Sequence, residues 1–308
     1  MINPNYKNCD KSQMGTGLVD CLAELGYPTG LIRTAKNWRA DVSTDTMDKD
    51  YFVEQIQKGN FVPFLGARAY TQNTPETTFS ESDNGIKLPV RNGKPEFQYE
   101  YVKTVHYNKI AYSHNSYRGG NVILTFDNGA IFLAETTDKT QLKGFDLAMQ
   151  NTASFMFKTG SEPGKTMLTI QLENEDEYNL QGVVLSREQL GFNINTDIFG
   201  VIETNITLDE VSAGNTINAS VNALANGAVN IEGLAANNLR VIIEGTAEAP
   251  ASISYNDVDG KYEITTTTAM TAGDEVYVEL YDTDNDVNVA IANELLYKGK
   301  SSTATVVA

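Results

Sequence analysis

The segment NVILTFDNGAIFLAET, residues 121–136, constrains the fold more than any other stretch of the chain. Two apolar runs flank an Asn-Gly dipeptide, which readily supplies the two positive φ angles of a type I′ turn, so the segment predicts a β-hairpin. A two-residue loop pairs Thr125 with Phe132 and Ile123 with Ala134. Both faces of the hairpin are then largely apolar. The sequence therefore predicts a cover for each face, either helices and a second sheet of the same chain or another copy of the chain.

Other stretches predict further short strands joined by short helices. In KPEFQYEYVK, the side chains of Phe97, Tyr99 and Tyr101 share one face of a strand because successive side chains alternate. Helical spacing predicts short helices over residues 16–25, 47–58 and 104–116, and Ser186 to Gln189 has the spacing of a capping box. The predicted fold class is mainly β with a few short helices.

Composition changes near Gly200, where Tyr, Phe and Lys become rare and Ala, Asn, Thr and Val become common. We predict an assembly domain over residues 1–200, an antiparallel β-sandwich or barrel-like fold that includes an N-terminal helix and extended segments. Short strands at regular intervals over residues 203–308, with a hairpin at Asp259-Gly260, predict an immunoglobulin-like β-sandwich. The antibody Cys–Trp–Cys pattern is missing there, so antibody-like topology is an analogy only.

The formal charge of −17 argues against a surface that binds nucleic acid, because phosphates are bound through Lys and Arg. Residues 203–308 hold 4 basic and 16 acidic side chains, so most of the excess acid lies there. No secretory signal and no apolar run long enough to span a membrane are visible. Two cysteines, Cys9 and Cys21, fit a protein made in a reducing cytoplasm.

Candidate metal ligands are poorly spaced. Zinc sites show close pairs of Cys or His, whereas Cys9 and Cys21 are twelve residues apart and His106 and His114 eight. Buried thiols and ordinary histidines are the better interpretation. In YDTDNDVN, the carboxylates of Asp282, Asp284 and Asp286 alternate as at the start of a calcium loop. Val287 and Asn293 stand where that loop needs Gly and Glu, so a solvated turn is favoured over a weak calcium site.

Motifs for catalysis and cofactors are missing. The chain has no G-x-S-x-G, no P-loop and no dinucleotide fingerprint, and Ser113-His114 has no recognisable third member. We therefore predict that the chain is not an enzyme, with no catalytic residue, no metal and no cofactor. Residues 70–85 predict a long, polar, exposed loop, and the acidic run at 173–177 predicts an exposed strand end.

Residues 29–200 resemble structural proteins of tailed-bacteriophage virions. The resemblance lies in EFQYEYVKTVHYNKIAYSHNSYRGGNVILTFDNGAIFLAETTDKTQLKGFDLAMQNTASFMF and in KTMLTIQLENEDEYNLQGVVLSREQLGF. It implies a tail-tube-type subunit that assembles into stacked rings and carries an appended bacterial immunoglobulin-like domain. The alternatives are a capsid decoration or head–tail ring protein and, in a different class, a carbohydrate-binding module for cell surfaces.

The resemblance implies that the partners are other copies of the chain and other virion proteins, while the negative charge and the missing apolar run predict no sequence-specific nucleic acid and no membrane. Its implied location is the virion, after synthesis in the host cytoplasm. With no catalytic motif visible, the two-faced hairpin, the aromatic strand and the polar loop are the candidate assembly surfaces. The candidate interface residues are Phe97, Tyr99, Tyr101, Ile123, Thr125, Phe132 and Ala134.

Overall fold

A computed structural model describes residues 25–81, 86–91, 93–224 and 229–308. The chain divides between Ile198 and Phe199 into two compact units, here called the first and the second unit. The helix predicted over residues 16–25 lies outside the described residues, apart from its last position, as do Cys9 and Cys21.

The first unit is built mainly from short strands. They are β1 (Pro28–Thr34), β2 (Ala40–Asp41), β3 (Phe61–Leu65), β4 (Ala69–Gln72), β5 (Thr78–Glu81), β6 (Lys87–Arg91), β7 (Glu96–Tyr101), β8 (Ser116–Tyr117), β9 (Asn121–Phe126), β10 (Ile131–Glu135), β11 (Gln141–Lys143), β12 (Phe145–Thr152), β13 (Thr166–Leu172) and β14 (Gly182–Leu185).

The helices of the first unit are short and capped. They are α1 (Lys49–Gln57), α2 (Val105–Ser113), α3 (Glu175–Leu180), α4 (Arg187–Leu190) and α5 (Ile194–Asp197). Asp48 caps α1 and Thr104 caps α2, each accepting from a backbone N–H of the first turn. The predicted capping box is confirmed, because the Ser186 and Gln189 side chains each bond the other's backbone N–H.

The strands of the hairpin β9–β10 pair with each other near the turn and then separate. Next to the turn the two strands pair with each other, but further on β10 pairs with β11 while β9 pairs with β12. On their other sides β9 pairs with β1 and β10 with β14. From β12 the sheet continues through β13 and β7 to β4. The hairpin thus joins two groups of strands in one antiparallel sheet: its own neighbours β1, β11 and β14, and the run from β12 to β4.

Those two groups of strands enclose an apolar core. Leu31, Phe64, Val122 and Leu124 contribute to it from β1, β3 and β9, while β7, β12 and β13 contribute the opposite side. The members from β7, β12 and β13 are Phe97, Tyr99, Tyr101, Phe145, Leu147, Leu168, Ile170 and Leu172. This core covers the first face of the hairpin.

Helices of the same unit cover the second face. Ile123 and Thr125 point to the side opposite the core just described, because side chains alternate along β9. On that side α5 contacts β9, and α1 contacts β3. The Phe52 ring of α1 packs 5.3 Å from the ring of Phe61 and 5.4 Å from that of Phe192. The chain itself therefore buries both faces of the hairpin.

The turn of this hairpin differs from the prediction. Phe126 N–H donates to the carbonyl of Ala130, Gly129 N–H donates to that of Phe126, and only Gly129 of the loop has positive φ, +80°. This is a type I turn followed by a glycine bulge, with three loop residues instead of two. Thr125 pairs with Ile131 and Leu124 with Phe132. The predicted register was wrong by one residue, which moves Phe132 and Ala134 to the face opposite Ile123 and Thr125.

The second unit is a β-sandwich. Its described strands are β15 (Ile202–Leu208), β16 (Gly214–Ala223), β17 (Val229–Asn230), β18 (Leu239–Ile243), β19 (Thr246–Glu248), β20 (Ser252–Asn256), β21 (Lys261–Met270), β22 (Glu275–Leu280), β23 (Ala290–Ala292), β24 (Leu295–Lys298) and β25 (Ala304–Thr305), with a 3₁₀ helix at Ala236–Asn238.

Two sheets form this sandwich. One has the order β20-β21-β16-β15-β24-β23, with β17 beside β16, and the other has the order β19-β18-β22-β25. Ile217, Val221 and Ile264 of the first sheet share a buried cluster with Val241 and Val278 of the second. The predicted fold class, mainly β with a few short helices, is confirmed.

Candidate functional site

Most of the predicted interface residues are buried inside the first unit. Phe132 is half-buried, with its ring 4.9 Å from that of Phe145 and 5.4 Å from that of Tyr178. The fully buried members are Phe97, Tyr99, Tyr101, Ile123, Thr125 and Ala134. A side chain without exposed surface offers no area to a partner. The structure therefore shows these side chains packed within the first unit, against residues of the same chain.

The aromatic strand β7 is part of that core. The Tyr101 hydroxyl donates to the carbonyl of Phe64 at 2.8 Å, and the Tyr70 ring stacks 5.9 Å from that of Phe97. Burial raises the pKa of Tyr99 and of Tyr101 well above the usual value of a phenol. These rings serve as packing and not as an exposed platform for stacking ligands.

One exposed element of the first unit lies within the predicted polar loop. Residues 70–85 do not form one continuous loop, because they include the end of β4 and all of β5. Strands β5 and β6 pair only with each other, as a separate two-stranded sheet. We call this β5–β6 hairpin the arm. All four residues of β5 are exposed, and Phe79 on β5 and Ile86 just before β6 expose 55% and 53% of their surface.

The arm continues a hairpin that begins in the main sheet. Strands β4 and β7 pair from Ala69 with Glu100 to Gln72 with Phe97, and Asn73 N–H then donates to the carbonyl of Glu96. Beyond this point the described strands of the main sheet offer no neighbour to β5 or β6. The arm thus leaves the main sheet with apolar side chains that the first unit does not cover.

A second exposed apolar element is the connection between β12 and β13. Phe157 exposes 79% of its surface and Met156 49%. The backbones of Met156 and Lys165 bond each other in both directions, and the Phe155 ring packs edge-on against that of Phe157 at 5.6 Å. This connection is therefore a defined structure with an aromatic side chain open to solvent.

The acidic run at 173–177 differs from its prediction as an exposed strand end. It enters α3, and Glu177 is buried and bonded to Lys143. Its Oε2 also accepts from Asp146 N–H at 2.7 Å. A buried carboxylate paired in this way holds α3 against β11 and β12. It is already bonded and is not an unpaired acidic group.

No group of three or more His, Cys, Asp or Glu among the described residues could hold a metal ion. In the candidate calcium loop, both carboxylate oxygens of Asp282 accept bonds from within the loop, from Asp284 and Asn285. The Asp284 carboxylate accepts from Asn237, and the Asp286 carboxylate from the Tyr281 hydroxyl. This is the geometry of a hydrogen-bonded turn.

Tyrosines of the second unit are largely packed away. Tyr262, Tyr281 and Tyr297 are buried, and the Tyr255 ring packs 4.8 Å from that of Tyr262. Tyr277 is half-buried on β22. Sugar recognition by stacking needs exposed ring faces, so the geometry does not favour the carbohydrate-binding alternative.

No protein-family model and no curated protein sequence matches this chain. A similar solved structure is the receptor-binding domain of a mouse coronavirus, crystallised with its murine receptor. It has 9% sequence identity and a TM-score of 0.21, over 60% of this chain and 91% of that one. A similarity at this TM-score does not indicate a shared fold or a shared function. Within the described ranges, no helix is long and apolar enough to cross a membrane.

Proposed function

We propose that this chain is a structural subunit of a tailed-bacteriophage particle, which assembles with copies of itself into tail-tube-like rings or tubes. The observation that most supports this is the arm, a two-stranded sheet with exposed Phe79 and Ile86. A lone hairpin has little stability in water, and its open edges present unpaired backbone groups to any strand that approaches. The arm is therefore suited to pair with a sheet of a neighbouring copy.

Other features agree with a structural role. The resemblance of residues 29–200 to phage virion proteins adds support that does not depend on the arm. Under this proposal the partners are further copies and other virion proteins, and the chain works without catalysis or a cofactor. Capsid decoration or a place in a head–tail ring is the alternative, in which the arm pairs with a different virion protein.

Electron microscopy of the purified protein tests the proposal. We expect tubes or stacked rings in negative stain from the unmodified chain. We expect Phe79→Asp to remain folded by circular dichroism, because the side chain is exposed, but to lose these assemblies. Val258→Asp is the matched control, since Val258 exposes 92% of its surface in a turn of the second unit. It should still assemble.

A strictly monomeric chain under all assembly conditions would contradict self-assembly. If that monomer binds preformed phage shells, the decoration alternative replaces the proposal. Equal loss of assembly in Phe79→Asp and Val258→Asp would remove the arm as its cause.

A further inference from the structure

Arg33 is a half-buried cation in the first unit that lacks an acidic partner. It lies on β1 opposite Val62 and Val122, both of which belong to or pack against the apolar core. Its Nη1 donates to the carbonyl of His114 at 2.8 Å, and its Nη2 donates to Ser116 Oγ at 3.4 Å. None of the ion pairs formed among the described residues includes Arg33.

Gln150 is the cross-strand partner of Ser116, which accepts from this cation, and its side-chain amide has no hydrogen-bond partner within the described structure. It is 1% exposed, and neither its Oε1 nor its Nε2 has a hydrogen-bond partner within the described structure. Strands β8 and β12 pair Ser116 directly with Gln150. Residues paired in this way share a face, with Cβ atoms about 4.5–5.5 Å apart. Ser116 thus bonds the Arg33 guanidinium and lies beside Gln150 on the neighbouring strand.

The backbone beside Arg33 is kept free of side chains. Gly120 has φ +84°, and a Cβ added there would lie 3.2 Å from Arg33 Nε. Gly119 before it has φ +113°. Any larger residue at position 120 would therefore crowd the guanidinium, whose Nε donates to no atom of the described residues.

His114 adds a neutral imidazole. Its Nδ1 lies 3.4 Å from Arg33 Nη1, and burial together with the Arg33 charge lowers the pKa of its ring. The cluster therefore carries a single positive charge at neutral pH, with hydroxyl, guanidinium and amide hydrogens available as donors.

We propose that Arg33, Ser116 and Gln150 form a binding site for a small oxyanion of the carboxylate or phosphate class. A guanidinium presents planar donors that match two oxygens of such an anion, and the amide and hydroxyl add further donors beside it. The oxyanion has two sources, a free ion in solution or a carboxylate of a second copy. The second source rests on the proposed assembly function.

Thermal unfolding of the dispersed subunit tests the site. Phosphate or acetate replaces chloride at constant ionic strength, and we expect either to raise the Tm of the first unit by about 2–4 °C. Arg33→Gln should remove this shift. Arg39→Gln is the control and should keep it, because Arg39 is exposed and bonds only backbone carbonyls.

Gln150→Met separates binding from folding. Replacing a buried amide that lacks partners by an apolar side chain of similar size should raise the Tm in chloride and abolish the shift by phosphate. A wild-type Tm that is the same in phosphate, acetate and chloride would overturn the site. An unchanged shift in Arg33→Gln would do the same.

Sedimentation of the same variants distinguishes the two sources. If a carboxylate of another copy occupies the site, phosphate and acetate should dissociate the assemblies and Arg33→Gln should fail to form them. If the ligand is a free ion, titration calorimetry should give one phosphate per chain and Arg33→Gln should assemble normally. Loss of all assembly by the wild type, with the Tm shift retained, contradicts only the proposed function.

Discussion

Glu177 and Lys143 form the buried ion pair on which α3 depends. Their side chains expose only 3% and 13% of their surface. Removing one partner of such a pair leaves the other charge poorly solvated, so we expect Glu177→Gln to lower the free energy of unfolding of the first unit by about 3 kcal/mol. The loss stays at the low end of the usual range because Lys143 keeps Asp146, 3.3 Å away. Urea unfolding measures it.

Glu173→Gln is the control for this prediction. Glu173 is exposed in the same acidic run, and substitution of an exposed side chain costs within about 0.5 kcal/mol. Equal effects of the two variants would mean that the buried pair adds nothing to stability.

The pKa of His114 gives the first unit a pH-dependent stability. Burial, and then the charge of Arg33, lower this pKa below its usual 6.5 in the folded state. In the window from 6.5 down to the folded value, the unfolded chain binds a proton that the folded chain does not. The free energy of unfolding therefore falls as pH falls through this window.

We expect His114→Gln to lose this part of the pH dependence, measured by urea unfolding between about pH 7.5 and 5.5. His106→Gln, on the helix that ends just before His114, should retain it. Identical pH profiles of wild type and His114→Gln would show that His114 does not carry the effect.

Some features of individual side chains could be predicted from the sequence, and others could not. The alternation that placed Phe97, Tyr99 and Tyr101 on one buried face of β7 is correct. What covers that face could not be predicted from the pattern, because apolar spacing is the same against a neighbouring strand of the same chain and against another copy. Arg33 and Gln150 could not be predicted as site residues from the sequence. They lie 83 and 34 residues from Ser116 along the chain and come close to it only when the strands pair.

At the scale of elements, the tip of the β9–β10 hairpin can be tested through Gly129. Its φ of +80° costs other residues about 1–2 kcal/mol, and an added Cβ would lie 3.3 Å from Arg187 Cβ and 3.2 Å from Asn193 Oδ1. We expect Gly129→Ala to lower the free energy of unfolding by more than Gly191→Ala. Gly191 has nearly the same φ, +77°, but nothing within 4 Å of an added Cβ.

The difference between these two alanine variants measures how tightly the hairpin tip packs against α4 and the turn after it. Urea midpoints of the first unit give the values. Equal losses would show that the tip packs loosely and that backbone strain alone matters at both positions.

Local signals predicted elements better than they predicted pairing. The capping box at Ser186 and Gln189 and the helix at Lys49–Gln57 follow from residues a few positions apart, and both are present. The Asn-Gly dipeptide is compatible with a two-residue loop and with a three-residue loop ending in a glycine bulge, so the register could not be decided from it. The arm was not predicted from the sequence. All side chains of β5 are exposed, so the segment is polar and lacks the apolar alternation of a strand with one buried face.

At the scale of the whole molecule, each of the two units has a buried core of its own. Leu168 is fully buried in the core of the first unit, and Ile264 is fully buried in that of the second. Because each cluster draws its members from one side of the division after Ile198, we expect each unit to unfold in a transition of its own.

Matched core substitutions test this division. Leu168→Ala and Ile264→Ala each remove buried methyl groups, at a cost of about 2–5 kcal/mol. Differential scanning calorimetry of the full chain should show Leu168→Ala lowering only the transition of the first unit, and Ile264→Ala only that of the second. If either variant moved both transitions together, the two cores would be energetically coupled, and the second unit would then support the folding of the first unit instead of unfolding independently of it.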